Sequence, residues 1–278
     1  MTKNFTLNCG GRLVSLEKPL VMGVLNVTPD SFYDGGRYTA EEQVLEQTRR
    51  MLEEGAAFID VGGMSSRPGA QIISIEEELQ RVIPVIKLIK KHFPEALISI
   101  DTIRGQVARQ AADAGAVMIN DISAGKFDPV MFPTVAELGL PYVLMHMQGK
   151  PADMQKDPVY ENVTLEVLDF FIRQVGTLRE LGVKDIILDP GFGFGKTVAH
   201  NYQLLRDLAV FNMLDCPTLA GVSRKSMICK VLGVKPAEAL NGTTAVNTLA
   251  LLGGAHILRV HDVKEAREAI EIVSAFHL

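Results

Sequence analysis

With 278 residues, 47% of them hydrophobic and 22% charged, the chain has the composition of an ordinary globular protein with a large core, which excludes intrinsic disorder. A formal charge of −5 and a pI near 5.7 provide no electrostatic footprint for nucleic acid or an anionic membrane, leaving small molecules as the natural partners. MTKNFTLNCGGR lacks the apolar core of a secretion signal, no later apolar run reaches the ~18 residues of a membrane span, and Cys9, Cys216 and Cys229 are too scattered for a disulfide framework or zinc site; a cytoplasmic protein with structural thiols is expected.

Eight short apolar runs then recur along the chain: VMGVLNV (21–27), FIDVGG (58–63), LISID (97–101), VMIND (117–121), YVLMHM (142–147), DIILDPG (185–191), TLAGVSR (218–224) and ILRVHD (257–262). They are continuous rather than alternating, as strands buried on both faces should be, and helical patterns separate them. Thr39-x-x-Glu42 and Ser74-x-x-Glu77 read as capping boxes, and Asp262-x-x-Glu265 as their acidic equivalent. Gly55, Gly115 and Gly182 stand where helix ends want positive φ, and Pro84 predicts a kink or break in the second helix. Eight such units without a linker or composition shift predict an α/β protein, a (β/α)₈ barrel in which residues 1–278 form a single domain.

The alternative is an open doubly wound sheet, which would gather its ligand groups near one switch point. Here polar residues mark the strand exits instead: Asn26, Asp60, Asp101, Asn120 with Asp121, His146, Asp189, Ser223 with Lys225, and Arg259 with His261. Any one of them alone reads as a helix cap; eight exits in register read as a site at the C-terminal end of a barrel. Two exits are long loops hinged by glycine and proline, NVTPDSFYDGG (26–36) and GGMSSRPGA (62–70), with the contents of lids that close over substrate. A third, DPGFGFGKT (189–197), ends like a phosphate cradle, but Gly191 stands one residue too close to Gly195-Lys196-Thr197 for the nucleotide-hydrolase pattern. Its evenly spaced glycines also fail the dinucleotide fingerprint.

In this order, NVTPDSFYDGG, GGMSSRPGA, SIDT, NDIS, LMHMQG, DPGFGFGKT, SRKS and RVHD resemble the dihydropteroate synthases over residues 21–262. The resemblance implies a barrel transferase of folate synthesis that joins 4-aminobenzoate to 6-hydroxymethyl-7,8-dihydropterin pyrophosphate, releasing pyrophosphate. It also implies dependence on Mg²⁺, a homodimer and binding of sulfonamides.

The residue chemistry fits that assignment. A pterin edge presents donors and acceptors, which Asp101, Asn120 and Asp189 can read from three exits, with Lys225 adding a donor and Met145 and Arg259 beside them. The simpler reading of each carboxylate is an ion pair with a neighbouring Lys or Arg. Arg67, Arg259 and His261 supply cations and donors for a diphosphate, and Asn26 a hard oxygen for Mg²⁺ beside it. Loss of pyrophosphate leaves a methylene cation that the electron-rich ring stabilises. Asp34 would support that cation, and Asp34, Arg67 and Lys225 form the expected catalytic set. Phe32, Ser66, Pro68 and Phe194 would enclose the aromatic acid, with Ser223 at its carboxylate. Lys196 is read as a solvated lysine.

The second loop reads Met64-Ser65-Ser66-Arg67-Pro68 where the family commonly has Glu-Ser-Thr-Arg-Pro; Ser66 keeps the hydroxyl and loses a methyl. Three rivals remain at this level: a pterin-binding methyltransferase module, a Schiff-base aldolase built on Lys225, and a pterin-binding protein without catalysis.

Overall fold

The computed structural model describes residues 4–27, 37–64, 73–149, 154 and 158–276. In chain order the strands are β1 (Thr6–Cys9), β2 (Arg12–Ser15), β3 (Leu20–Asn26), β4 (Phe58–Gly62), β5 (Leu97–Asp101), β6 (Ala116–Asp121), β7 (Tyr142–Met145), β8 (Ile186–Asp189), β9 (Leu219–Ala220) and β10 (Ile257–Val260). The helices are α1 (Arg37–Glu53), α2 (Ile75–His92), α3 (Gly105–Asp113), α4 (Met131–Leu138), α5 (Val163–Glu180), α6 (Val198–Arg206), α7 (Ser226–Leu232), α8 (Leu240–Leu252) and α9 (Val263–Phe276). Strands β3 to β10 form one parallel sheet in the order β8-β7-β6-β5-β4-β3-β10-β9, and a bridge between Leu188 and Thr218 joins its two ends into a (β/α)₈ barrel.

Side chains alternate between the two faces of each strand, and both faces are buried. In β4, Ile59 and Val61 point outward into the shell shared with the helices, while Phe58 and Asp60 point into the barrel. The same period places Leu258 and Val260 outside and Ile257 and Arg259 inside on β10. This explains why the strands read as continuous apolar runs that end in a polar residue.

Inside, one residue from each strand forms the floor: Met22, Phe58, Leu97, Met118, Val143, Ile187, Leu219 and Ile257. Leu7, Cys9 and Leu16 of the β1–β2 hairpin pack against them. The sequence reading did not anticipate this hairpin, whose strands have only four residues each.

Ser74 caps α2 as expected, its hydroxyl accepting from the Glu77 N–H; the Glu77 carboxylate turns to Arg81. Positive φ is found at Gly55, Gly115 and Gly182. Three local expectations are corrected. Helix α2 runs unbroken through Pro84, because Pro84 and the Gln80 carbonyl that it deprives of a donor lie on the exposed face. Helix α1 starts at Arg37, so Thr39 is inside it rather than ahead of it. Strand β9 is only Leu219–Ala220, because from Gly221 the chain turns toward α7. Asp262 stands just ahead of α9, and its carboxylate accepts from Arg224. Among the described residues no helix is long and apolar enough to cross a membrane.

Candidate active site at the barrel mouth

Two residues beyond the floor the inward positions change character: Asp60 follows Phe58, Asn120 follows Met118, Met145 follows Val143, Asp189 follows Ile187, Gly221 follows Leu219 and Arg259 follows Ile257. The Arg259 guanidinium holds this layer together. Its Nε donates to Asp60 Oδ2 at 2.6 Å and its NH2 to Asp101 Oδ2 at 2.7 Å, while Asn120 Nδ2 donates to the same Asp60 oxygen at 3.0 Å. Burial alone would lower the Arg259 pKa, but Asp60 and Asp101 outweigh it and hold the group charged. Burial pushes Asp101 up to about 7 despite that arginine, with the charge of Asp60 adding to the rise. Asp189 is likewise raised by burial, opposed by Lys225 and by the Gly191 N–H, which donates to Asp189 Oδ1 at 2.8 Å. The ion-pair reading of the carboxylates is therefore correct for Asp101, and the pair sits inside the site instead of away from it.

Glycines keep the space beside these groups open. A Cβ at Gly62 would lie 3.6 Å from Asn26 Oδ1 and from Asp101 Oδ2, and one at Gly221 would lie 3.8 Å from Asp189 Oδ2 and 3.9 Å from Lys225 Nζ. Asn26, Gly62, Asp101 and Asn120 are register partners on four adjacent strands, so Asn26 shares a level with the two pterin-reading candidates.

Lys225 donates to the Phe192 carbonyl and lies 4.6 Å from the centroid of the Phe194 ring. Burial lowers its pKa to about 8, with Asp189 opposing the fall. Phe194 belongs to an apolar cluster at the mouth with Ile103, Ile122, Met145, Met147 and Met154. Met64, the residue that departs from the family's glutamate, packs against this cluster. Ser223 Oγ lies 3.0 Å from His261 Nδ1 and accepts from the His261 N–H, so the aromatic-acid and diphosphate candidates are joined here. Phe32, Asp34, Ser66, Arg67 and Pro68 lie outside the described residues.

The solvated reading of Lys196 is overturned: its side chain is buried, with Nζ 3.0 Å from His146 Nδ1 and donating to three backbone carbonyls. The adjoining glycines act in packing, not in phosphate binding. A Cβ at Gly191 would meet the His146 carbonyl oxygen at 1.9 Å, and one at Gly195 the Gln148 oxygen at 2.3 Å, so the loop lies backbone to backbone against the β7 exit.

The sequence reading noted Asp60 only as a polar exit; the signal for its role is its spacing of two from Phe58. Ser226, the first residue of α7, lines with Lys196, Asn201 and Lys230 a cavity of about 430 Å³. No spacing rule marks that cavity, because three separate segments build it.

A family model described as "Pterin binding enzyme" matches residues 22–261. The dihydropteroate synthase of Escherichia coli strain K12 is 49% identical over 95% of this chain and 94% of its own length. Among solved structures, the Yersinia pestis dihydropteroate synthase in complex with a sulfonamide drug superposes with a TM-score of 0.92 at 44% identity, covering 98% of this chain and 99% of that one. The Xanthomonas albilineans dihydropteroate synthase with 4-aminobenzoic acid superposes with a TM-score of 0.92 at 42% identity, covering 99% of both chains. Its complex with 7,8-dihydropteroate gives 0.88 at 39%, covering 98% and 99%.

Proposed function

The chain belongs to the dihydropteroate synthase family, and from that premise we propose how the groups at its barrel mouth divide the reaction among them. The enzyme is a transferase of folate synthesis: it condenses 6-hydroxymethyl-7,8-dihydropterin pyrophosphate with 4-aminobenzoate to give 7,8-dihydropteroate and pyrophosphate. The observation that carries the division is the array around Arg259, in which Asp60 and Asp101 fix one guanidinium beside Asn120 and Asp189.

Asp101 and Asp189 accept from the donors of the pterin edge, Asn120 and Lys225 donate to its acceptors, and Met145 lies against the ring. Arg259 spends two N–H groups on Asp60 and Asp101 and has others to offer. Those, with Arg67 and His261, receive the diphosphate. Ionisation of the carbon–oxygen bond precedes attack: the ring and Asp34 stabilise the methylene cation, and the aniline nitrogen of 4-aminobenzoate then adds to it. Phe32, Ser66, Pro68 and Phe194 enclose the aromatic acid, with Ser223 near its carboxylate. A sulfonamide occupies the same pocket, as the ligand of the Yersinia pestis structure supports.

Mg²⁺ fits this site as a companion of the substrate. Among the described residues no cluster of His, Cys, Asp or Glu could hold a metal, whereas Asn26 Oδ1 faces the gap left by Gly62. One side-chain oxygen suits an ion whose other ligands are water and phosphate oxygens. When bound, it neutralises charge on the departing diphosphate.

A single domain over residues 1–278 accords with the hairpin's packing into the barrel floor. A homodimer accords with the exposed Leu249 and Leu252 of α8 and Ile272 and Phe276 of α9. A cytoplasmic site of action follows from a diphosphate substrate that a bilayer excludes. The test is pyrophosphate release from the purified protein. The expected result is release, with dihydropteroate, only when both substrates and Mg²⁺ are present; methyl transfer from methyltetrahydrofolate without dihydropteroate would overturn the assignment.

A further inference from the structure

We propose that Lys196 is a positioning residue for the aromatic-acid pocket: its buried ammonium holds the loop from Gly191 to Lys196 in the conformation that sets the Phe194 ring beside Lys225. The inference rests on the reading of Phe194 as a wall for 4-aminobenzoate.

Lys196 is 3% exposed, and each of its hydrogen bonds goes to its own loop or to the strand exit beside it. Nζ donates to the carbonyls of Gly191 at 3.0 Å, Phe194 at 3.1 Å and His146 at 3.3 Å, and lies 3.0 Å from His146 Nδ1. Burial, with the charges of Lys196 and Lys126 adding to it, holds His146 down at about 2, so its ring is neutral and Nδ1 is free to accept in the tautomer protonated on Nε2. Three carbonyl oxygens and an imidazole lone pair converging on one buried point repel each other unless a cation lies between them. Burial lowers the Lys196 pKa well below the ordinary lysine value, opposed by the charge of Asp189; the four converging acceptors also favour the ammonium, which shares its three N–H groups among them, the Phe194 carbonyl included.

Two further bonds fix the loop on either side of Phe194 without touching it. Tyr160 Oη donates to the Gly195 carbonyl at 2.9 Å, and the Gly193 N–H donates to Asn201 Oδ1 at 2.7 Å. The Phe194 N–H closes a turn onto the Gly191 carbonyl at 3.1 Å, and Lys196 binds the carbonyls at both ends of that turn, those of Gly191 and Phe194. The pterin-facing groups Asp101 and Asn120 stand on β5 and β6, outside this loop. Asp189 and Lys225 do touch the loop, through the Gly191 N–H and the Phe192 carbonyl, but neither hydrogen-bonds to Phe194 or Lys196, so disturbing the lysine acts more on the aromatic-acid pocket than on the pterin pocket.

Lys196→Met keeps the length of the side chain and removes the charge. In steady-state kinetics the KM for 4-aminobenzoate rises at least tenfold, sulfonamide inhibition weakens in parallel, and the KM for pterin pyrophosphate stays within twofold of wild type. Lys196→Arg restores part of the loss. Tyr160→Phe, which removes one bond from the same loop and leaves the ammonium in place, raises the 4-aminobenzoate KM two- to fivefold. An equal loss for both substrates in Lys196→Met overturns the proposal, because it marks a merely structural lysine. An unchanged 4-aminobenzoate KM in Tyr160→Phe also overturns it, even if Lys196→Met does not fold. Failure of the parent reading looks different: Phe194→Ala would then leave the 4-aminobenzoate KM unchanged, whatever Lys196→Met does.

Discussion

At the floor of the barrel, eight inward side chains from Met22 round to Ile257 pack with the hairpin's Leu7, Cys9 and Leu16, while two residues further along the same strands stand Asp60, Asn120, Asp189 and Arg259. Each large floor side chain gains about 1.5–3 kcal/mol from burial. The mouth works against the fold: Asp101 and Asp189 are raised by burial, Lys225 is lowered by it, and Asp60 Oδ1 is buried with no partner among the described residues. Floor and outer shell thus hold in place a layer of charges that would not assemble by itself. The mouth places full charges, little hydrated, where a polar ligand can replace the missing water.

The comparison can be broken from either end. The largest expected effect is at the floor: Phe58→Ala empties a site of 0% exposure and should cost about 3–5 kcal/mol of stability, read by denaturant unfolding, with substrate KM values unchanged in the folded enzyme. A shift in pterin KM equal to that of a mouth variant would show that the two ends are not separable.

Next is the pH response of the mouth. Asp101 is raised from 3.8 to about 7 and Lys225 is lowered from 10.5 to about 8, so affinity for a non-reactive pterin should peak between pH 7 and 8. It should fall by up to about tenfold per unit of acid below that window as Asp101 takes a proton. The sign for stability is opposite. A carboxylate raised in the folded state contributes stability that is present below 3.8 and lost as pH rises through about 7, so on its account acid should weaken binding without lowering the melting temperature. Calorimetry and thermal melts on the same samples would separate the two.

Arg67→Ala should follow in size. If Arg67 receives the diphosphate and the adjoining Pro68 walls the aromatic acid, as proposed, 4-aminobenzoate affinity measured with pterin and pyrophosphate present should fall by about 1–3 kcal/mol in the variant, while binding of the bare pterin stays unchanged. Equal affinities with and without the first ligands would make the loops independent. The smallest effect belongs to the frame: Ser74→Ala removes the α2 cap and should cost about 1 kcal/mol in melting experiments with normal kinetics.

The barrel was legible because period-2 burial on both faces writes each strand as an apolar run with a polar exit. The LISID run coincides with β5, and each of the eight runs overlaps a strand. The hairpin was not legible: its burial pattern includes only two buried residues in β1 and none in β2, so it carries no pattern strong enough to register. At the mouth, Asp101, Asn120, Asp189, Lys225 and Arg259 were readable from their exits, yet the bond of Arg259 to Asp60 links residues far apart in the chain and follows only from barrel closure. Lys196 was misread because a lysine in a glycine-rich turn ordinarily faces water. What buries this one is the backbone contact that Gly191 and Gly195 permit, which spacing alone does not reveal.

The division of the barrel into an apolar floor and a pterin-reading mouth is tested most directly at Asp189, buried at the end of β8, where an amide differs from a carboxylate by one donor. Calorimetric titration of a non-reactive pterin into wild type and Asp189→Asn, with a thermal melt of each, is the measurement. The account predicts a loss of about 1–3 kcal/mol in binding, roughly five- to 150-fold, with the melting temperature not reduced. Equal affinity in the two proteins would contradict it and return Asp189 to the role of a strand-end residue that fixes the Gly191 N–H.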